Sequence, residues 1–499
     1  MTHPLVRLRT DAAADAAHEL VDAFAAIRSE FDIPADFGES VSAAARAAAD
    51  RRPTAEHEAH DERDVEFVTI DPPGSRDLDQ ALALERAGSG YRLRYAIADV
   101  PAFVDLDGPI DLEARARTQT LYLPDGRCPL HPPVLSEAAA SLLPNVDRPA
   151  FVWDIHLDSD AQPTQVAVRR GLVRSRAQLD YAGVQADLDA GRAAPVLALL
   201  AEVGAKRIAA EIERGGASLP MPEQEIHEQN GHYRLRFRPP LPAEDCNAQI
   251  SLLTGMCAAD LMLAGGVGIL RTMPAPDDKT LAAFRRVARA RGADWPEDRS
   301  YGAFLRSLDR DDPGHLALIH EATSLFRGAG YTAFDGQRPE QVEHAAVAAP
   351  YAHVTAPLRR LVDRFGLLVC AALSAGAQVP DEVRAVLPQL PDLMRGGDQR
   401  ASAVNRAATD AVEAAQLHDR IGEEFDAVVV DDRGERGLIV AIRDEAIIGP
   451  CDHRDHRDHG GNGGNGGNGS GPSVGAGDEV RVRVTQADIA RRKVRFEVV

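Results

Sequence analysis

The stretch Phe67–Leu82, FVTIDPPGSRDLDQAL, constrains this chain more than any other. Val68 to Ile70 reads as a buried strand, and Pro72, Pro73 and Gly74 end it in a corner. Three carboxylates, Asp71, Asp77 and Asp79, are gathered around that corner. Asp77 and Asp79 are two apart, so in an extended segment they leave the same face, and Asp71 can fold back toward them. Carboxylates gathered in this way repel, and a hard divalent cation is the usual compensation. Mg²⁺ takes oxygen ligands, keeps waters of its own and accepts substrate phosphate oxygens. The competing reading of the same spacing is a charged hairpin tip whose acids cap a turn.

Further blocks follow in order. They are YAIADVPAFV (Tyr95–Val104), IDLEARART (Ile110–Thr118), LYLPDGRCPLHPPVLSEAAASLLP (Leu121–Pro144) and, far downstream, YAHVTAPLRRLVDRF (Tyr351–Phe365). Together with the acidic stretch they resemble the RNB (ribonuclease II) family of exoribonucleases, over about residues 60–400. The fold this implies is α+β: a catalytic domain with a mixed sheet surrounded by helices at 59–420. A short helical segment would precede it at 1–58, and an S1/OB-like barrel would follow at 421–499.

The two flanking parts are also readable without the resemblance. Leu20, Phe24, Ile27 and Phe31 fall at helical spacing, and Pro34 and Gly38 interrupt before a second helix. Some family members carry two cold-shock barrels before the acidic stretch; some sixty residues are too few for even one with these helices, so those are expected to be missing. At the other end, FDAVVVDD, RGLIVAI, EAIIGPC, EVRVRV and RKVRFEVV alternate as short strands, enough for an OB-type barrel. Such a barrel holds single-stranded RNA through a basic groove and stacking. Its only aromatics here are Phe425 and Phe496, so weak binding is expected. The run CDHRDHRDHGGNGGNGGNGSG (Cys451–Gly471) interrupts it. His453, His456 and His459 beside Cys451 suggest a metal site, but short tandem repeats fit a disordered surface loop, placed at 451–474, better.

Composition limits the function classes. The net charge is −21, which taken alone argues against a polyanion binder. Nearly all the positive charge is arginine, with only Lys206, Lys279 and Lys493 as lysines. Arginines cluster at Arg169, Arg170, Arg174 and Arg176, at Arg285, Arg286, Arg289 and Arg291, and at Arg359, Arg360 and Arg364. Guanidinium groups grip phosphate and stack on bases, although a solvated mixed-charge surface explains the first two clusters equally well. No apolar run is read as spanning a membrane and no signal peptide is expected. Cys128, Cys246, Cys257, Cys370 and Cys451 are scattered without a CxxC pair, as for reduced thiols in a cytoplasmic protein.

The resemblance also implies roles. Asp71, Asp77 and Asp79 match the first three of the family's four aspartates, and Gln80 stands at the fourth. A glutamine carbonyl can ligate Mg²⁺, or Mn²⁺ in its place, but brings no charge, so one metal is expected and a second is disfavoured. Arg359 matches the arginine that neutralises the scissile phosphate; its structural alternative is an ion pair with Asp363. Asp77, Asp79 and Arg359 are the expected catalytic set. Tyr122 matches the tyrosine near the 3′-terminal nucleotide and Tyr181 a second channel tyrosine, with a satisfied core tyrosine as the alternative for each. Asn247 and Gln249 stand where the family carries glutamates, as amides able to hydrogen-bond a ribose 2′-hydroxyl. Arg360 joins them as an expected RNA contact.

The expected protein is a Mg²⁺-dependent exoribonuclease that degrades single-stranded RNA from its 3′ end to nucleoside 5′-monophosphates, with no obligate protein partner. Two other classes stay open: a catalytically silent RNA-binding relative, and a phosphodiesterase for short oligonucleotides.

Overall fold

The computed structural model describes residues 10–217, 223–229, 232–238, 240–309, 311–452 and 474–499. Helices α1 (Thr10–Glu30), α2 (Glu39–Ala49) and α3 (Ala55–Ala59) open it. Strands β1 (Phe67–Asp71), β2 (Gln80–Ala87) and β3 (Gly90–Ala98) follow, then α4 (Pro109–Arg117). Next come a small hairpin, β4 (Leu121–Leu123) and β5 (Gly126–Cys128), and the long strands β6 (Asp147–Leu157) and β7 (Pro163–Asp180). Strands β1, β2, β3, β6 and β7 close into a barrel. Closure is made by β1 running parallel to β7, with Asp71 opposite Asp180. Gly90 begins β3 because a Cβ there would sit 2.0 Å from the Leu157 carbonyl of β6. Tyr95, Phe151, Trp153 and Ile155 of its strands are buried in one core cluster with residues of the surrounding helices.

Helices α5 (Tyr181–Asp189) and α6 (Pro195–Glu213) follow, then the hairpin β8 (Glu223–Gln229) and β9 (His232–Arg238), and α7 (Pro242–Gly265). Strand β10 (Val267–Thr272) pairs with β11 (Gly330–Asp335) across α8 (Asp278–Ala290), α9 (Tyr301–Arg306) and α10 (Pro313–Ala322). Those three helices share their own apolar cluster around Phe284, Trp295 and Phe304. The two-residue strands β12 (Glu343–His344) and β13 (Ala349–Pro350) lead to α11 (Leu361–Ser374), α12 (Asp381–Val386) and α13 (Leu390–Leu417). Among the described residues α7 is long and apolar enough to cross a membrane, which corrects the expectation that no run reaches that length. Its apolar residues are accounted for by burial: Ile250, Leu253, Ala258 and Met262 lie in the core shared with the barrel and α11.

A second barrel ends the chain: β14 (Glu424–Asp432), β15 (Leu438–Ile442), β16 (Ile447–Asp452), β17 (Glu479–Asp488) and β18 (Lys493–Val498), in the order β14-β15-β16-β18-β17. It too closes with one parallel pair, β16 on β18. The expected tail strands all form. Phe425 and Phe496 are both buried inside, so neither is a stacking surface. The expected His453, His456 and His459 cluster lies outside the described residues. Cys451 is buried in β16, and the described cysteines are all free thiols.

Candidate active site

The acidic segment is a loop between two barrel strands. β1 ends at Asp71 and β2 starts at Gln80, with irregular backbone between them. Leu78 is completely buried, and its N–H donates to Ser141 Oγ at 3.0 Å. That anchor turns its two acidic neighbours to different partners. Asp77 Oδ1 accepts from Arg127 Nη1 at 2.5 Å, and Arg127 also reaches Glu137 at 2.8 Å. Asp79 is buried; its Oδ1 accepts the Leu358 N–H at 2.7 Å, and its Oδ2 faces Arg359 Nε at 3.3 Å.

Burial dominates the electrostatics. Desolvation pushes Asp79 up to about 8 against the pull of Arg359 and the Leu358 N–H. It pushes Asp71 up to about 6, with Arg359 opposing and Asp77 adding to the rise. Asp71 Oδ2 is buried with no hydrogen-bond partner.

Arg359 is held by its backbone. Thr118 ends α4 at φ 66°, a strained value for a β-branched residue, and this turns residues 118–120 alongside 359–361. Thr120 N–H donates to the Arg359 carbonyl at 3.0 Å, and Leu361 N–H to the Thr118 carbonyl at 2.9 Å. The Arg359 side chain is 43% exposed, with both Nη groups free of protein partners among the described residues. The alternative pairing of Arg359 with Asp363 is excluded. Asp363 accepts two hydrogen bonds from Arg360, at 2.9 and 2.8 Å, and one from the Ala356 N–H. Arg360, expected to contact RNA, therefore spends its fork on Asp363 and stabilises the loop instead.

Tyr122 stands 53% exposed on β4, opposite Arg127 on β5. Tyr181 is the first residue of α5, behind the cap Asp180, and Asn247 Nδ2 donates to its hydroxyl at 3.2 Å, so these two come together near Asp71. Gln249 does not join them. Two residues along a helix is more than half a turn, and its amide bonds to Glu211 at 2.6 Å, beside Arg306. The residue that shares the Asn247 face is Ser251, four positions on. Its hydroxyl, with that of Tyr95, donates to the Gln80 carbonyl, while Gln80 Nε2 donates to the Thr355 carbonyl at 2.7 Å. Gln80, expected to ligate metal, thus has both ends of its amide engaged by protein. Arg127, Tyr95 and Ser251 were not picked out from the sequence. Arg127 was findable, because a two-residue turn places it opposite Tyr122.

The other arginine clusters separate. Arg169 pairs with Glu62, Arg170 with Asp99 and Arg174 with Asp147, so three of the four in the first cluster are neutralised, while Arg176 donates to the Arg63 carbonyl. Arg286 and Arg289 of α8 are exposed.

A divalent cation fits this site by charge: the unpartnered, desolvated Asp71 oxygen and buried Asp79 both lie in the field of Arg359 and Asp77. Among the described residues no three His, Cys, Asp or Glu side chains are grouped so as to hold a metal ion, and Asp77 is engaged by Arg127.

The loops of the first barrel gather carboxylates against a half-exposed arginine. Residues 59–369 match the RNB domain, and residues 468–499 match the RNase II-type exonuclease C-terminal S1 domain. The chain belongs to the RNB family. It is similar to ribonuclease R of Escherichia coli, 29% identical over 474 residues that take in 88% of this chain and 57% of that protein. The chain thus spans little more than half the length of that relative. Mycoplasma genitalium RNase R, solved in complex with ribose methylated single-stranded RNA, has the same fold, with a TM-score of 0.86 at 19% identity, covering 96% of this chain and 78% of that one. Yeast Ssd1, described as a pseudonuclease, has a TM-score of 0.66 at 17% identity over 80% of this chain and 51% of its own.

Proposed function

We propose that this chain is a 3′–5′ exoribonuclease that hydrolyses single-stranded RNA to nucleoside 5′-monophosphates with Mg²⁺, or Mn²⁺ in its place. The observation that carries the reading is the pairing of buried Asp79 with the Leu358 N–H and Arg359, whose charge also acts on the unpartnered Asp71 carboxylate. When bound, the cation would supply charge for the phosphate and acidify an attacking water, with Asp71 and Asp79 as its holders and Asp77 joining on release from Arg127. Arg359 offers two free Nη groups to the phosphate oxygens, where negative charge develops as the P–O3′ bond breaks. Tyr122 offers an exposed ring to the terminal base, and the Tyr181–Asn247 pair offers hydrogen bonds to its ribose. Family membership and the likeness to ribonuclease R support this reading. The five free thiols support a cytoplasmic site of action.

One observation favours a second reading, RNA binding without cleavage. The family's fourth aspartate is here Gln80, whose amide is already satisfied by protein. A 5′-labelled single-stranded RNA incubated with the protein and Mg²⁺ separates the two. A ladder shortening from the 3′ end, lost on chelation and in Asp79→Asn, is the expected result. An unshortened RNA with a retained gel shift overturns the nuclease reading in favour of the silent one. Cleavage of short oligonucleotides alone, or of 2′-deoxy substrates equally well, would point to the phosphodiesterase instead.

A further inference from the structure

The hairpin β4–β5 bears Tyr122 and Arg127, yet it has only three residue pairs of its own. Two strands of that length do not hold a position in water by themselves. What grips them from outside decides where Tyr122 and the Arg127–Asp77 pair stand. We infer that the segment from Arg28 to Phe37, leaving α1, is a strap that positions this hairpin, with Arg28 as its principal positioning residue. The inference rests on the nuclease reading above for its kinetic consequence, but not for its geometry.

The grip is bidentate at the hairpin tip: Arg28 Nη1 and Nη2 donate to the Asp125 carboxylate at 2.9 and 2.6 Å. Both side chains are largely shielded, at 30% and 23% exposure, which sets this pair apart from a solvated surface bridge. The strap continues along the hairpin's base. The Pro34 carbonyl accepts from Cys128 Sγ at 3.5 Å, and the Asp36 carbonyl from Arg117 Nη2 at 3.1 Å. The Arg117 guanidinium lies 3.8 Å over the Phe37 ring. The strap has a fixed footing of its own. Leu20, Phe24 and Ile27 of α1 are buried in one cluster with Val404 and Ala411 of α13, and the hairpin's Leu121 and Leu123 enter the same cluster. Two residues past Arg28, Glu30 pairs with Arg492 in the β17–β18 turn. The strap therefore runs from the second barrel to the candidate active site.

Arg127 holds both Asp77 and Glu137. A hairpin that drifts moves Tyr122, Arg127 and Asp77 together. Small misplacements of positioning groups lower rates by large factors.

The test uses the full chain as parent, Arg28→Glu, the swap Arg28→Glu/Asp125→Arg, and Arg46→Glu as a control on the exposed Arg46–Glu39 pair of α2. Thermal midpoint, hydrogen exchange of the amides of residues 121–128, and kcat and KM on single-stranded RNA are read for each. Arg28→Glu is expected to speed hairpin exchange and lower kcat about tenfold with a smaller change in KM, at an unchanged midpoint. The swap is expected to recover both readouts, and Arg46→Glu to match the parent. Unchanged hairpin exchange in Arg28→Glu overturns the strap, as does a swap that recovers neither readout. A parent without nuclease activity sinks the proposed function instead, and hairpin exchange alone then decides the strap.

Discussion

The two five-stranded barrels close in the same way, each with one parallel pair, and both pair arginines with acids across their strands, but among the described residues they differ at the loop acids of the first. On the first, Asp79 is buried and raised to about 8, and an Asp71 oxygen has no partner. On the second, arginines and acids face each other across solvated strands: Arg481 with Glu424 and Asp426, Arg483 with Glu424 and Glu497, Arg495 with Asp452. A shared scaffold does not dictate chemistry. Reactive charge appears where segments distant in sequence strip water from a carboxylate. In the first barrel the loop 355–360 and the hairpin β4–β5 do so, and in the second nothing among the described residues covers the acids in that way.

The sharpest way to break this contrast is to neutralise one acid in each barrel. Asp79→Asn is expected to cost activity on the order of 10³-fold, measured as kcat/KM on single-stranded RNA. Asp452→Asn is expected to leave it unchanged. Comparable losses from both would erase the distinction.

Stability sharpens the contrast at the helix that joins the barrels. Glu413 of α13 is buried between Gln224 and the Ile448 N–H, and burial raises it to about 7. Its folded value lies above the usual carboxylate value, so the native state holds the proton more tightly. Its contribution to stability is therefore greatest at low pH and declines as pH rises from about 4.5 through about 7. Glu413→Gln should flatten that decline and gain up to about 3 kcal/mol at pH 8, read from urea midpoints at several pH values. An equal pH slope in both proteins would show that Glu413 ionises freely.

A backbone contact gives a smaller effect. A Cβ at Gly397 would meet Thr118 Oγ1 at 2.0 Å, at the strained turn that sets Arg359. Gly397→Ala should cost about 1–3 kcal/mol by overpacking, and lower kcat as well. A stability loss with kcat intact would separate Thr118 from Arg359. Smallest of all, Arg495→Ala in the second barrel removes a half-exposed pair and should change stability by about 0–1 kcal/mol, fading further in salt.

Much of this was legible in the sequence. The tail strands alternate because one face is buried, and α1 buries Leu20, Phe24 and Ile27 at the spacing that marks a helix. Asp79 and Arg359 could be named from their motifs, and the fold brings them together. Gln249, expected beside Asn247, bonds Glu211 instead, because two residues along a helix turn a side chain to another face, and Ser251 is the one that shares the Asn247 face. The fork of Arg360 is taken by Asp363, three residues on, a pairing the motif does not reveal, while its neighbour Arg359 takes the solvent-facing position.

The sequence by itself determined the family, the two strand-rich regions, and the carboxylates and arginine from which a site can be made. Those follow from local periodicity and motif order, which short spans of chain encode. Only the tertiary structure decided which charges are spent and which remain free. Asp79 meets Leu358, Gln80 meets Thr355, and Arg28 meets Asp125 across long stretches of chain. Whether a charged side chain is neutralised, desolvated or left facing solvent depends on partners that only folding brings near, so no window of sequence contains the answer.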